Sequence, residues 1–432
     1  MSIGLESKDV NILQLSYGAP GCVYYRNLNP GEVFNQNGWS SYVVETDMRK
    51  QQDLAKGERI IRDWADIVVV TRFSDWTPYL NMARRFGKRV VYEIDDTPVL
   101  HAAHPSYKMA DQNNWFERVK VQAEHADAVT CSTEMLADFM RQFHDHVFVI
   151  PNMIDYGLPM WNRKSDRSDS RSVIGYFGGS SHLPDLKAVE PAITHAVKNY
   201  PHVDWWYGAI PNREYVRRYN DETGEMKVDE RAGRAVLQAK RLRRLYNHIK
   251  RKRIKYLYPL DIKEYGGVYR DFDITVAPLT NDGFNRYKSN LKLLEAGAYY
   301  LPVVAANLEP FRDDIIACNG GILAATPEEY KDGIVALLKN PDEAAAMGRR
   351  LGEYVRDQYD LFSHQQAVLD VYRGIMEIEP QPRDRLAPRI PSKPEEKSRE
   401  YQARLMQQSH EERMRKYAPL EGKARLRNPA QV

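Results

Sequence analysis

Cysteine is scarce in this sequence. Cys22, Cys131 and Cys318 are the only three in 432 residues, far apart and without metal-ligand spacing. That excludes a disulfide scaffold or a cysteine-rich zinc site, and it reads as reduced core thiols in a cytosolic protein. Long apolar runs are lacking too. No stretch approaches the roughly 20 residues that a membrane span needs, and the start, Met1-Ser2-Ile3-Gly4-Leu5-Glu6-Ser7-Lys8, lacks a signal-peptide shape. Neither sign of charge dominates: 62 Lys and Arg stand against 59 Asp and Glu, so the net charge of +3 selects no partner. The G-x-G-x-x-G spacing is missing as well. Gly18 and Gly21 mark the turn after the first apolar run without it, which argues against a dehydrogenase but leaves a place for an acceptor or a phosphate.

What the sequence does have is alternation. Strands are expected at Val10–Leu15, Ser41–Glu45, Ile67–Thr71, Arg89–Ile94, Ala128–Cys131 and Val147–Ile150, with a helix at Asp75–Phe86. A polar segment, Trp161–Arg171, carries six charges. Beyond it a second series begins, with strands at Val173–Phe177, Val203–Tyr207, Ile254–Tyr258, Ile274–Ala277 and Val303–Ala305. Its helices are Pro184–Tyr200, with Leu186, Val189, Ile193 and Val197 on one stripe, then Glu328–Lys339 and Asp342–Tyr359. Continuous apolar strands separated by helices argue for parallel sheets covered on both faces. The class is therefore α/β, as two Rossmann-like, doubly wound domains facing a central cleft. They are expected at 1–160 and 172–360, joined by a linker at 161–171. Ligands of such sheets bind beyond the carboxyl ends of the strands.

One segment concentrates chemistry. After the strand at Ile274–Ala277, a loop Leu279–Tyr287 leads to a helix expected near Ser289 as N-cap. Lys288, Lys292 and Glu295 then fall on one face. Two lysines at the positive end of a helix dipole are unfavourable by up to about 1 kcal/mol, and a bound anion reverses the sign. Backbone N–H groups, the Ser289 hydroxyl and two ammonium groups suit a diphosphate, while Glu295 suits a ribose diol. The plainer reading is that Lys292 and Glu295 form a surface i, i+3 pair contributing about 0.2–0.5 kcal/mol. A second turn, Gly178-Gly179-Ser180-Ser181, sits between a strand and a helix, where backbone can approach phosphate.

These residues resemble the GT-B-type glycosyltransferases of the glycosyl transferase group 1 (family 4-like) kind. The matching pieces are Ile174-Gly175-Tyr176-Phe177-Gly178-Gly179-Ser180 with His182 and Asp185, then Ala277-Pro278-Leu279, Phe284-Asn285, Lys288-Ser289-x-x-Lys292-x-x-Glu295, Gly297 and Leu301–Ala305. In the first half Tyr25-Arg26, Pro30 and Tyr92-Glu93-Ile94-Asp95-Asp96 resemble bacterial and phage members. The resemblance implies a nucleoside-diphosphate sugar as donor and a retaining transfer without a metal. Lys292 and Lys288, or Arg286, would stabilise the leaving diphosphate, with Glu295 on the donor ribose. Gly178, Gly179, Ser180, His182, Asn285 and Ser289 would complete the donor site, and a helix at 361–379 would cross back to the first domain. Many members carry a glutamate where this chain has Tyr287, so the contact to the transferred sugar differs.

Asp95 and Asp96 end a strand before Pro98. They read as acceptor positioning, with Asp96 a base, as a Mg²⁺ site, or as a plain turn; no metal and no cofactor beyond the sugar nucleotide is required. His101 and His104 downstream read as a base or as solvated loop residues. Between Arg231 and Lys255 lie eleven Lys or Arg and no acid. Arg241, Arg243, Arg244, Lys250, Arg251, Lys252 and Arg253 belong to this basic helical insertion, 211–256. It faces solvent, tracks DNA phosphates, or lies on an anionic membrane. The DNA reading suggests a hydroxylated base as acceptor, flipped from the duplex. Cell-surface glycan, lipid or protein acceptors are the alternatives, and so is a nucleic-acid-binding protein on an inactive scaffold. Five prolines from Pro380 to Pro394 and a charged stretch from Glu395 predict a flexible tail, 380–432.

Overall fold

The computed structural model describes residues 10–17, 20–46, 51–102, 104–163, 165, 167–179, 182–208, 217–220, 225–228, 240–258, 260–391, 400–402, 404–408 and 411. Among the predicted site residues, Gly18 and Ser180 lie outside this set, as do the first part of the basic insertion and most of the tail.

Two compact units emerge. The first comprises Met1–Pro151, Tyr287–Ser289 and Gln365–Val432; the second comprises Asn152–Arg286 and Asn290–His364. In the first, β1 (Asn11–Ser16), β2 (Ser40–Glu45), β3 (Ile67–Thr71), β4 (Arg89–Ile94), β5 (Ala128–Cys131) and β6 (Val147–Val149) form one parallel sheet in the order β2-β1-β3-β4-β5-β6. All five residues of β3, Ile-Val-Val-Val-Thr, are buried, as a strand with both faces covered requires. The order reverses between β1 and β3, which makes that edge the switch point of the sheet.

The second unit holds β7 (Ser172–Phe177), β8 (Val203–Gly208), β11 (Ile254–Leu257), β12 (Ile274–Ala277), β13 (Val303–Ala306) and β14 (Gly321–Ala324), all parallel, in the order β11-β8-β7-β12-β13-β14. A separate antiparallel pair, β9 (Arg217–Asn220) and β10 (Glu225–Val228), lies between β8 and β11 in the chain. Counted within the unit, the order is 3-2-1-4-5-6, the dinucleotide-fold arrangement, with its switch point between β7 and β12. Gly175 in β7 is required by packing: a Cβ there would meet the Phe272 ring at 2.1 Å. The stripe Leu186, Val189, Ile193 and Val197 on the helix Leu183–Asn199 is buried in this unit's core with Trp205, Tyr207 and Tyr246.

Two expected boundaries move. The segment 161–171 is part of the second unit, and its charges are fasteners. Arg167 donates to the Asp271 carbonyl at 2.7 Å and to Asp273 at 2.8 Å, and Arg171 grips Asp204 through two bonds of 2.5 and 2.6 Å. The described part of the tail is likewise docked. Ala387 and Asn81 exchange two hydrogen bonds of 2.8 and 3.1 Å, Gln381 N donates to Asp127 at 2.7 Å, and Ala387, Ile390 and Leu405 are buried in the first core. The helix Gln365–Glu377 also belongs to the first unit. Its Tyr372 packs edge-on against Phe34, and Arg89 donates to the Met376 carbonyl at 3.0 Å.

Arg26, expected near an acceptor or phosphate, is instead a core residue. Its Nε lies 2.7 Å from Glu93 and its Nη1 2.6 Å from the Ile150 carbonyl, with both side chains almost wholly buried. Burial raises the Glu93 carboxyl above its ordinary value, against the pull of Arg26. Removing one partner of such a pair leaves a bare buried charge and costs about 3–5 kcal/mol. Arg26→Met is therefore expected to lose that much in urea unfolding, and the double variant Arg26→Met, Glu93→Leu to recover most of it.

Candidate functional site

The switch point of the second sheet gathers the predicted donor residues. Asp185 stands in the first turn of the helix Leu183–Asn199, 3% exposed. Its Oδ1 accepts from Thr280 N at 2.7 Å, Thr280 Oγ1 at 2.9 Å and Asn285 Nδ2 at 3.0 Å. His182 Nδ1 lies 2.7 Å from its other oxygen. One carboxylate thus pins the loop after β12 to the helix after β7. Burial pushes Asp185 up, but the His182 and Thr280 hydrogen bonds outweigh it and hold the carboxyl below its ordinary range. Asn285, read as a donor ligand, has its amide nitrogen engaged by Asp185 and Thr280, so it shapes the loop.

After that loop comes the helix Leu291–Ala298, capped at Asn290 rather than at Ser289. A short 3-10 turn, Asn285–Tyr287, takes up the intervening residues, and the Asn290 amide is held by Asp314 at 2.7 Å. Lys288 therefore precedes the helix and does not share a face with Lys292. Within the first unit its Nζ lies 3.5 Å from Asp96, and Tyr287 is buried against Phe139. Lys292 lies in the first turn of the helix and reaches Glu295 Oε2 at 2.6 Å. The same oxygen accepts from the Tyr269 hydroxyl at 2.6 Å. Glu295 is 1% exposed, so this is no ordinary surface pair. The carboxylate is anchored from beneath by Tyr269, while the lysine remains partly exposed. The clash of Lys292 with the helix dipole is relieved internally by Glu295.

A residue without a role in the sequence reading lies among these groups. Tyr176 ends β7 with its hydroxyl buried and without a hydrogen-bond partner. Burial, with the Asp185 and Glu295 carboxylates adding to it, holds this phenol well above its ordinary range. Gly178 lies directly against it: a Cβ at 178 would meet the Tyr176 hydroxyl at 2.4 Å. The glycine turn, the Asp185 loop and the Glu295 helix thus converge on one phenol. Gly178 and Gly179 are partly or fully exposed above it.

Residues 231–340 match the model of the glycosyl transferases group 1 family. Among solved structures the chain is similar to a sucrose-phosphate synthase from Thermosynechococcus elongatus, at 14% identity over 86% of this chain and 100% of that one, with a TM-score of 0.57. It is also similar to a glycosyltransferase from Rickettsia africae, at 13% identity over 86% and 100%, TM-score 0.55. HepE of Anabaena, solved with UDP-glucose, matches at 15% identity over 84% and 99%, TM-score 0.55. No curated protein matches. The fold is GT-B. The matched segment, within the second domain, is similar to the group 1 glycosyltransferases, the family whose resemblance the sequence carries.

In the first GT-B domain the switch point is built around an arginine that sequence reading passed over. Arg72 directly follows β3 with φ of 64°, in the left-handed region that a non-glycine residue rarely adopts. Its guanidinium lies 2.8 Å from Asp95 and 3.3 Å from Asp96, and it also contacts the Cys22 thiol. The strain of this backbone, about 1–3 kcal/mol, is offset by the Arg72 N–H bond to the Glu93 carbonyl and the bond from Tyr92 to its own carbonyl. Asp96 is therefore held between Arg72 and Lys288, which makes it an anchor for cations and not a lone base. Among the described residues no group of three or more His, Cys, Asp or Glu is gathered as a metal site. His101 is exposed on the loop after β4. Gly21 lies in the short helix Pro20–Val23, and a Cβ there would meet nothing within 4 Å.

The basic insertion divides in two. Arg253 folds inward, bonded to Asp204 at 2.8 Å and to the Tyr200 carbonyl at 2.8 Å, and Arg243 stacks over Tyr256. Arg241, Arg244, Lys250, Arg251 and Lys252 are exposed. The apolar residues Leu242, Tyr246 and Ile249 are buried in the domain's own core, so among the described residues this helix keeps no apolar face for a bilayer. No helix among the described residues is long and apolar enough to cross a membrane.

Since Asp185 has a folded pKa below its ordinary 3.8, it stabilises the domain above that pH, and the contribution is lost as the pH falls through the folded value. Asp185→Asn should be less stable than the parent at pH 7 by about 2–4 kcal/mol. Urea midpoints at pH 7 and pH 3 should show this gap narrowing in acid.

Proposed function

We propose that this protein transfers a sugar from a nucleoside-diphosphate sugar, a uridine diphosphate sugar by the likeness to HepE, with retention of configuration and without a metal. The carrying observation is the Tyr269–Glu295–Lys292 arrangement at the switch point of a 3-2-1-4-5-6 sheet. A buried carboxylate with one side anchored is suited to accept hydrogen bonds from a ribose diol. The adjoining ammonium faces out where a diphosphate would gather charge. As the bond between the sugar carbon and the diphosphate oxygen breaks, Lys292 stabilises the charge left on the leaving oxygen. A new bond then forms between that carbon and an acceptor hydroxyl, whose proton passes to solvent. The buried Tyr176 hydroxyl lies below the Gly178 turn and gives the bound nucleotide a polar floor.

For the acceptor we favour a hydroxylated base of DNA, as phage-type members of the family would use. The exposed cations of the insertion support it, and the burial of their helix's apolar stripe disfavours an acceptor on a membrane.

Glu295→Ala is expected to weaken UDP-sugar binding about 10- to 100-fold, the scale of one charged hydrogen-bonding group. Lys292→Ala should lower kcat by about 100-fold with a smaller change in KM. Steady-state kinetics on a panel of sugar nucleotides, with mass spectrometry of products, measures both; full activity in both variants would overturn the site. Activity should survive excess EDTA, and its loss would reinstate a metal.

A further inference from the structure

A cavity of about 660 Å³ opens beside β11, the edge strand of the second sheet, away from the switch point. Arg243, Lys250, Arg251, His248, Tyr256 and Tyr258 are among its walls. From Lys240 to Tyr258 the chain carries nine Lys or Arg and no acid. Of these, Arg253 is matched by Asp204, and His248 faces Glu190 at 3.0 Å. The exposed remainder comes from three elements: Arg241 and Arg244 from the helix, Lys250, Arg251 and Lys252 from the turn, and Lys255 from the strand.

Two features narrow the ligand. The apolar residues of the segment, Leu242, Tyr246 and Ile249, are consumed by the domain core, which removes the buried face that an anionic bilayer surface would need. Arg243, Lys250 and Arg251 line a concavity with aromatic walls. Tyr256 already carries the Arg243 guanidinium 5.1 Å above its ring, and Tyr258, 49% exposed, offers a ring of its own. Cations that follow a phosphate backbone, interleaved with rings on which bases stack, are the chemistry of single-strand recognition.

We propose that this cavity binds single-stranded nucleic acid, with Arg243, Lys250 and Arg251 on phosphates and Tyr258 stacked on a base. The assignment rests on the nucleic-acid acceptor reading above, and it places the strand's anchor at the sheet edge, apart from the donor residues. A base would be held there as part of an open strand, so the protein would favour unpaired over duplex substrate.

The test is fluorescence anisotropy of the full chain with labelled 12-nucleotide DNA and RNA single strands, with the matching duplex, and with no sugar nucleotide present. Three phosphate contacts predict a slope of log K against log salt of roughly −2. Arg243→Glu combined with Lys250→Glu and Arg251→Glu should weaken single-strand binding on the order of 100-fold at low salt. Tyr258→Ala should weaken it about 10-fold while leaving the salt slope unchanged. All four positions are exposed or partly exposed, and thermal unfolding of the variants reports whether the fold is kept. Single-strand binding that survives the charge reversal, duplex bound as tightly as single strand, or binding to phosphatidylserine vesicles with none to oligonucleotides would each overturn the proposal. UDP-sugar binding measured on the same charge-reversed protein should match the parent. A loss of oligonucleotide binding with donor binding intact is thus a result about this cavity, while the absence of sugar transfer to any nucleic acid would bear on the acceptor reading alone.

Discussion

Asp185 is the group on which the rest of the second domain's site depends. It is buried at the start of one helix, yet its partners come from a loop almost a hundred residues later in the chain. A buried carboxylate requires donors, and the donors it finds are the backbone and side chains that define the path from β12 to the helix Leu291–Ala298. That path in turn sets where Lys292 and Glu295 stand. Local propensity does only part of this: a 3-10 turn closes the loop Leu279–Tyr287 and Asp282 braces it from within, while Asp185 ties it to the helix Leu183–Asn199.

The first domain solves the same problem with the opposite sign. Its switch point is organised by Arg72, a cation in a strained backbone position, gathering the paired acids Asp95 and Asp96. Both sheets thus place a charged, long-range organiser at the edge where strand order reverses, the point at which helices leave toward opposite faces and a crevice opens.

This contrast marks what was legible in the sequence. The strand positions were, because Ile67–Thr71 or Ile274–Ala277 could only be buried strands, and their burial needs no knowledge of partners. Lys292 and Glu295 were legible as a pair three residues apart on one helix. Tyr176, Tyr269 and Arg72 were not, since each acts on residues distant in sequence and its own neighbours give no hint of it. Ser289 was misread for a local reason: the 3-10 turn at Asn285–Tyr287 delays the helix, and Asn290 caps it. The described part of the stretch after Pro380 departs from the expectation because prolines and charges suggest an unpacked chain. A few apolar side chains, Ala387, Ile390 and Leu405, are enough to seat it when Asn81 and Asp127 satisfy its backbone.

That seating changes the order in which the molecule can be completed. The first domain contains residues from both ends of the chain, so in connectivity the second domain is an insertion within it. During synthesis the sheet β1 to β6 emerges early but lacks the helix Gln365–Glu377 and the strap that follows. All residues of the second domain, Asn152–Arg286 and Asn290–His364, precede that helix in the chain. The amino-terminal domain, first to be made, is the last to be finished, and until then the surfaces that Tyr372, Ala387 and Ile390 cover stay exposed to whatever chaperone is at hand.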